Sequence, residues 1–185
     1  MRGFALAALL SLVAGCALRA PALPASAAGD DEAFAVSGRF AVRYGTDGGS
    51  GQLAWQHTRG GDVVSIRNPI GSTLAEIRRA DGVYELDTPD RPTERARDPD
   101  DLTERALGWR LPLRGMPWWL RGLAAPDLPL DAPETGATAD PALLRQAGWT
   151  IQYLSRHARN GLPERLTLTR GDLQIRLILD DWGGA

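Results

Sequence analysis

Regular alternation of apolar and polar residues sets in at Phe34. Phe34, Val36, Gly38, Phe40, Val42 and Tyr44 share one parity, with Ser37, Arg39 and Arg43 on the other. A period of two held this long predicts a half-buried strand. Residues 52–57 continue the pattern with Leu53 and Trp55 together, and stretches 62–67, 72–79 and 83–87 follow across turns at Gly60-Gly61 and Ala80-Asp81-Gly82. These predict a meander. The period then changes. Asp98 is placed as an N-cap, Pro99 suits a first helical position, acids fill the first turn, and Gly108 stops the helix after Leu107. A second helical piece is predicted over 116–121, carrying Trp118-Trp119-Leu120 and ended by Gly122. Residues 124–140, rich in Pro, Ala and Asp, read as a surface loop. Three strands close the chain, carrying Trp149, Ile151 and Tyr153, then Leu166 and Leu168, then Leu173, Ile175, Leu177 and Leu179, with Trp182 at the end. Strands on both sides of a helical insert, joined by short turns, predict one antiparallel sheet with helices packed on its inner face.

The run Gly45-Thr46-Asp47-Gly48-Gly49-Ser50-Gly51 lies between the first two strands. It reads as a flexible hairpin turn. A phosphate loop of the G-x-x-x-x-G-K-[ST] type is excluded, because the chain has arginine but no lysine; the same absence rules out Schiff-base catalysis. The net charge of -2 shows no basic excess of the kind nucleic-acid binding requires. His57 and His157 fall in no metal or triad spacing and are expected at the surface or rim. No metal site and no cofactor is expected.

Ahead of the alternating region, Arg2 precedes an apolar stretch from Phe4 to Val13, too short to span a bilayer. It ends in Val13-Ala14-Gly15-Cys16, and Cys16 is the chain's single cysteine. This resembles the lipobox of bacterial lipoproteins, which implies that Cys16 becomes the acylated first residue of the mature protein. The other reading is a plain signal peptide that happens to contain a cysteine. Residues 17–33 have too little apolar surface to fold and read as a tether. The expected organisation is a signal at 1–15, a lipidated N-terminus and tether at 16–33, and a folded domain at 34–185.

Taken in order, the motifs of that domain resemble the LolB family of outer-membrane lipoprotein receptors. They are Gly38-Arg39-Phe40, Leu53-Ala54-Trp55, Asn68-Pro69-Ile70-Gly71-Ser72-Thr73, Leu107-Gly108-Trp109-Arg110-Leu111-Pro112, Trp119-Leu120-Arg121-Gly122, Gly148-Trp149, Leu162-Pro163 and Trp182. Ile70 departs from the leucine usual in the family. The resemblance implies a mainly β fold: a curved antiparallel sheet forming an incomplete β-barrel, with helices inside it over an apolar cavity. It implies a non-enzymatic task at the periplasmic face of the outer membrane, accepting triacylated lipoproteins from the periplasmic carrier LolA and releasing them into the membrane. LolA is soluble, whereas the lipobox predicts an anchored chain. A monomer is expected, with the carrier, its cargo and outer-membrane lipid as partners.

The inward parity nominates Phe40, Val42, Leu53, Trp55, Ile66, Ile77, Ile151, Tyr153 and Leu177 as the lining of an acyl-chain cavity, although any sheet face must also pack a core. The turn Asn68-Pro69-Ile70-Gly71 presents a lone apolar side chain, expected either to dip into lipid headgroups as a membrane-insertion loop or to fold back as a plug. Two other readings stand beside this one. A structural or assembly lipoprotein would have no cavity, and an anchored hydrolase would need a nucleophile–base pair that no motif such as G-x-S-x-G supplies.

Overall fold

The computed structural model describes residues 32–132, 140 and 142–184. Cys16, with the expected signal and most of the tether, lies outside them. Among the described residues one ten-stranded sheet carries the fold, with strands in the order β6-β5-β4-β3-β2-β1-β10-β9-β8-β7. The strands are β1 Phe34–Tyr44, β2 Asp47–Thr58, β3 Gly61–Arg67, β4 Thr73–Ala80, β5 Val83–Thr88 and β6 Arg91–Ala96, then β7 Leu143–Gln146, β8 Trp149–Arg156, β9 Pro163–Arg170 and β10 Leu173–Gly184. Every pairing is antiparallel. The long β1–β10 ladder joins the two halves of the chain. β6 and β7 end the strand order, so the sheet is not closed.

The alternation sorts the two faces as expected. Val36, Phe40 and Val42 of β1, Leu53 and Trp55 of β2 and Ile175, Leu177 and Leu179 of β10 are buried together, while Arg39 and Arg43 stay exposed. Tyr44, of the same parity, escapes burial because it stands at the end of its strand.

The helical insert covers this inner face. α1, Pro99–Leu107, is capped by the Asp98 side chain accepting from Asp100 N–H, and it stops at Gly108, whose φ of 80° suits glycine. Its buried Thr103 donates to the Pro99 carbonyl and accepts from Leu111 N–H at 2.9 Å, which ties the exit segment back onto the helix. α2 spans Met116–Trp119, shorter than the sequence pattern suggested, because Leu120 and Arg121 already belong to its C-terminal turn. Met116, Trp119 and Leu120 insert into the core beside Trp149, Ile151 and Tyr153. Gln146, buried on β7, holds the chain beyond α2: its amide accepts from Trp119 Nε1 and Ala125 N–H and donates to the Ala125 and Leu128 carbonyls.

Two expectations need correction. The glycine run is not one long flexible turn. Gly45-Thr46 makes the turn, and Asp47 onward is strand, paired residue for residue with β1 from Tyr44. Backbone ladders need no side chains, so a strand rich in glycine leaves no alternation to read. β6 and β7 also went unread, because Arg91–Ala96 is mostly exposed and Leu143–Gln146 is short.

Candidate functional site

Among the cavities of the described residues, two lie at opposite ends of the sheet. The first, about 330 Å³, is at the end where β1 turns into β2 and β3 leads into β4. Phe40 and Val42 of β1 and Ile66 of β3 form its floor, and Leu107, Gly108 and Trp109 at the end of α1 cover it. Tyr44, Asp47, Gly48, Gly49, Ser50 and Leu74 form its rim. The Phe40 and Trp109 rings meet at 6.1 Å between centroids. Tyr44 and Leu74 border the cavity and are also 49% and 41% exposed, so the apolar lining continues outward to solvent.

Of the nine residues nominated from parity, the fold brings Phe40, Val42 and Ile66 together at this cavity. Leu53, Trp55, Ile77, Ile151, Tyr153 and Leu177 do not border it; they are buried core. Trp55 is 1% exposed and donates its indole N–H to Asp62 at 2.9 Å. Tyr153 donates its hydroxyl to the Trp119 carbonyl at 3.0 Å, and burial raises its pKa well above the ordinary phenol value. Parity assigns a residue to the inner face but does not say whether a helix will cover it there.

The rest of the lining, Trp109, Leu107, Leu74, Tyr44, Asp47, Ser50 and the glycines, does not follow from the parity argument. Trp109 had a signal of its own. It directly follows the glycine that ends α1, where the chain must turn back toward the sheet.

The Asn68–Ser72 loop stands at the same end of the sheet. Its backbone is closed by Asn68 N–H donating to the Ser72 carbonyl at 2.9 Å and Gly71 N–H to the Asn68 carbonyl at 3.0 Å. The Asn68 side chain accepts from Ile70 N–H and Ser72 N–H, so one asparagine braces the whole turn. Pro69 and Gly71 are exposed, and Ile70 is 88% exposed. Ile70 projects into solvent and does not plug the sheet edge.

The second cavity, about 470 Å³, is at the far end and is lined by His57, Arg59, Asp62, Arg79, Arg97, Arg114 and Trp118 among others. His57 corrects an expectation. It is 3% exposed, stacked on Phe34 at 5.0 Å, with Nδ1 2.6 Å from Asp62 Oδ1. Its parity, shared with Leu53 and Trp55, was the available signal. Asp62 also accepts from Trp55 and from Arg79. Burial by itself pushes the Asp62 carboxyl up, but the bonds from His57, Trp55 and Arg79 together outweigh it and hold the pKa below the ordinary value. The carboxylate is therefore ionised at neutral pH and can only accept, which places the His57 proton on Nδ1. An acyl chain would gain little among these charges.

Among the described residues no group of His, Asp and Glu is placed to hold a metal ion, and no helix is long and apolar enough to cross a membrane.

The sequence profile described as "Outer membrane lipoprotein LolB" matches residues 32–182. An outer-membrane lipoprotein LolB from Thiobacillus denitrificans is 38% identical over 185 residues, covering 97% of this chain and 96% of its own length. One from Pseudomonas paraeruginosa is 34% identical over 201 residues, covering 98% and 96%. Among solved structures, a LolA superfamily protein from Nitrosomonas europaea superposes with a TM-score of 0.49 and 9% identity, over 84% of this chain and 87% of its own.

Proposed function

Because the chain belongs to the LolB family of outer-membrane lipoproteins, we propose that it receives triacylated lipoproteins from a LolA-like periplasmic carrier, holds their acyl chains in the cavity under Trp109, and releases them into the membrane past Ile70. Membership implies an outer-membrane lipoprotein with a receptor role and no enzymatic one. Cargo, carrier and cavity are the proposal.

The physical need is plain. Exposing an acyl chain of ~14 methylenes to water costs roughly 10 kcal/mol at about 0.8 kcal/mol per CH₂. Such cargo does not diffuse freely; it passes from one apolar surface to another. Direction then follows from affinity, with the cavity holding chains better than the donor and worse than a bilayer. At about 330 Å³ the cavity falls near the lower end of the ~300–1,000 Å³ usual for ligand sites, so three chains require α1 and Trp109 to move outward.

The observation that carries the reading is the placement of Ile70. An 88% exposed isoleucine on a loop braced by Asn68 stands at the same end as the apolar cavity. Ile70 is the most exposed large apolar side chain among the described residues, and a braced turn that holds it outward suits insertion among headgroups. Anchoring through an acylated Cys16 would keep that tip within reach of the bilayer. Mass spectrometry of the mature N-terminal peptide is expected to show the modified cysteine, and an unmodified one removes this part of the proposal.

The test is transfer of a labelled lipoprotein from loaded carrier to this chain and then to liposomes. Ile70→Glu is expected to leave the first step intact and to impair the second. Undiminished release by the variant removes the membrane role of the loop. Failure of the unsubstituted chain to take cargo removes the receptor reading of the cavity.

A further inference from the structure

β2 runs further than its neighbour β3. Its pairing with β3 begins at Gln52, opposite Arg67, while its pairing with β1 continues out to Asp47, opposite Tyr44. Residues 47–51 therefore keep β1 on one side. On the other, where β3 would continue, the chain has turned into the Asn68–Ser72 loop. The cavity borders this step, with Gly48, Gly49 and Ser50 on one wall and Leu74 on the other.

Two local features keep the step open. The inward position of β2 opposite Val42 is Gly49. A Cβ there would lie 3.9 Å from Val42 Cγ1, an ordinary contact, and the backbone conformation is one any residue adopts. The fold does not require this glycine; what it supplies is space. Gly51 is different. A Cβ there would meet the Arg67 carbonyl oxygen at 2.0 Å and the Phe40 ring at 2.9 Å, so packing itself demands glycine. On the opposite wall Leu74 is the extra residue of a bulge, since Arg67 pairs with Thr73 and Ile66 with Ala75. A bulge re-aims the side chain it carries. Leu74 lies on the cavity rim, four positions from Ile70.

We infer that Gly49 sets the width of a lateral portal that admits one unbranched acyl chain, with Leu74 as its apolar lip toward the Ile70 loop. The inference rests on the acyl-chain reading above and adds the route by which a chain enters and leaves. The occupant follows from the lining: beside Phe40, Val42 and Trp109 stands Asp47, and among the described residues no arginine joins them. Such a rim disfavours an anionic headgroup and accepts a neutral hydrocarbon.

The test uses the full chain made by cell-free synthesis, hence unlipidated, and a fluorescent N-palmitoyl peptide followed by anisotropy. Gly49→Ala, whose added atom fits, should bind within a factor of about three of the unsubstituted chain, and Gly49→Leu should lose about tenfold or more in affinity, a change of roughly 1.4 kcal/mol. Leu74→Arg puts a cation on an exposed lip without touching the core and should weaken binding in the same direction, so it decides the matter if Gly49→Leu fails to fold. Undiminished binding by folded Gly49→Leu, or by Leu74→Arg where that variant decides, overturns the portal while leaving the acyl reading standing. If the unsubstituted chain binds no palmitoyl peptide, the acyl reading falls and takes the portal with it.

Discussion

The two ends of the sheet are built from the same alternating strands and finished in opposite ways. At the far end, inward positions carry His57 and Asp62, and a buried carboxylate gathers His57, Trp55 and Arg79 around itself. At the loop end, inward positions carry Gly49 and Gly51, β3 stops short of β2, and Tyr44 and Leu74 are left half in solvent. One end is cross-tied by directional bonds that tolerate little change. The other is finished by apolar side chains that reach solvent, with few directional bonds to tie it. Each end holds a cavity, and what separates them is the lining: charged at the far end, largely apolar at the loop end, where the candidate binding site lies.

The largest expected effect breaks the cross-tied end. Asp62→Ala leaves the buried donors of His57 and Trp55, and the part-buried Arg79 guanidinium, without their acceptor and should cost about 3–5 kcal/mol in urea unfolding. A cost under about 1 kcal/mol, the worth of an ordinary surface pair, would show that the cluster does not hold that end. The same cluster predicts a pH dependence. The folded pKa of Asp62 lies below its unfolded value, so its contribution is present above the ordinary carboxylate pKa of about 3.9 and is lost as pH falls through the lower, folded one. Stability should decline below about pH 4, and in Asp62→Asn this part of the decline should disappear. An unchanged acid limb in that variant would assign the decline to other groups.

The next effect compares two glycines at the loop end. Gly51→Ala drives a methyl into the Arg67 carbonyl and the Phe40 ring and should cost about 1–3 kcal/mol, as overpacking does. Gly49→Ala meets only ordinary contact with Val42 and should stay within about 0.5 kcal/mol. Equal costs in thermal melts would mean that both glycines serve packing and that neither keeps a space open. The smallest stability effect belongs to Ile70→Glu, expected within about 0.5 kcal/mol because the side chain touches little. A larger loss would return Ile70 to the role of plug.

Much of this architecture is legible from residues alone, for reasons that differ by element. The faces of β1, β2 and β10 follow from period-two alternation, and α1 follows from its Asp98 cap, Pro99 and terminal Gly108, all local signals. The outward Ile70 could be read from the turn chemistry around it. His57 was legible in principle from parity and was missed because histidine is so often a rim residue.

What the sequence by itself determined is the apolar face of the long strands, both ends of α1, and which family the motifs resemble. A period of two records a face and a cap records an end, and neither needs a distant partner. Only the tertiary structure decided which inward residues border the cavity under Trp109. Phe40, Val42 and Ile66 do, whereas Leu53, Trp55, Ile77, Ile151, Tyr153 and Leu177 are packed away, six of one parity pattern separated from three. The reason is physical. A void is defined by what distant segments leave unfilled: here the early end of β3, the bulge at Leu74, the helix that stops at Gly108 and the side chain that Gly49 lacks.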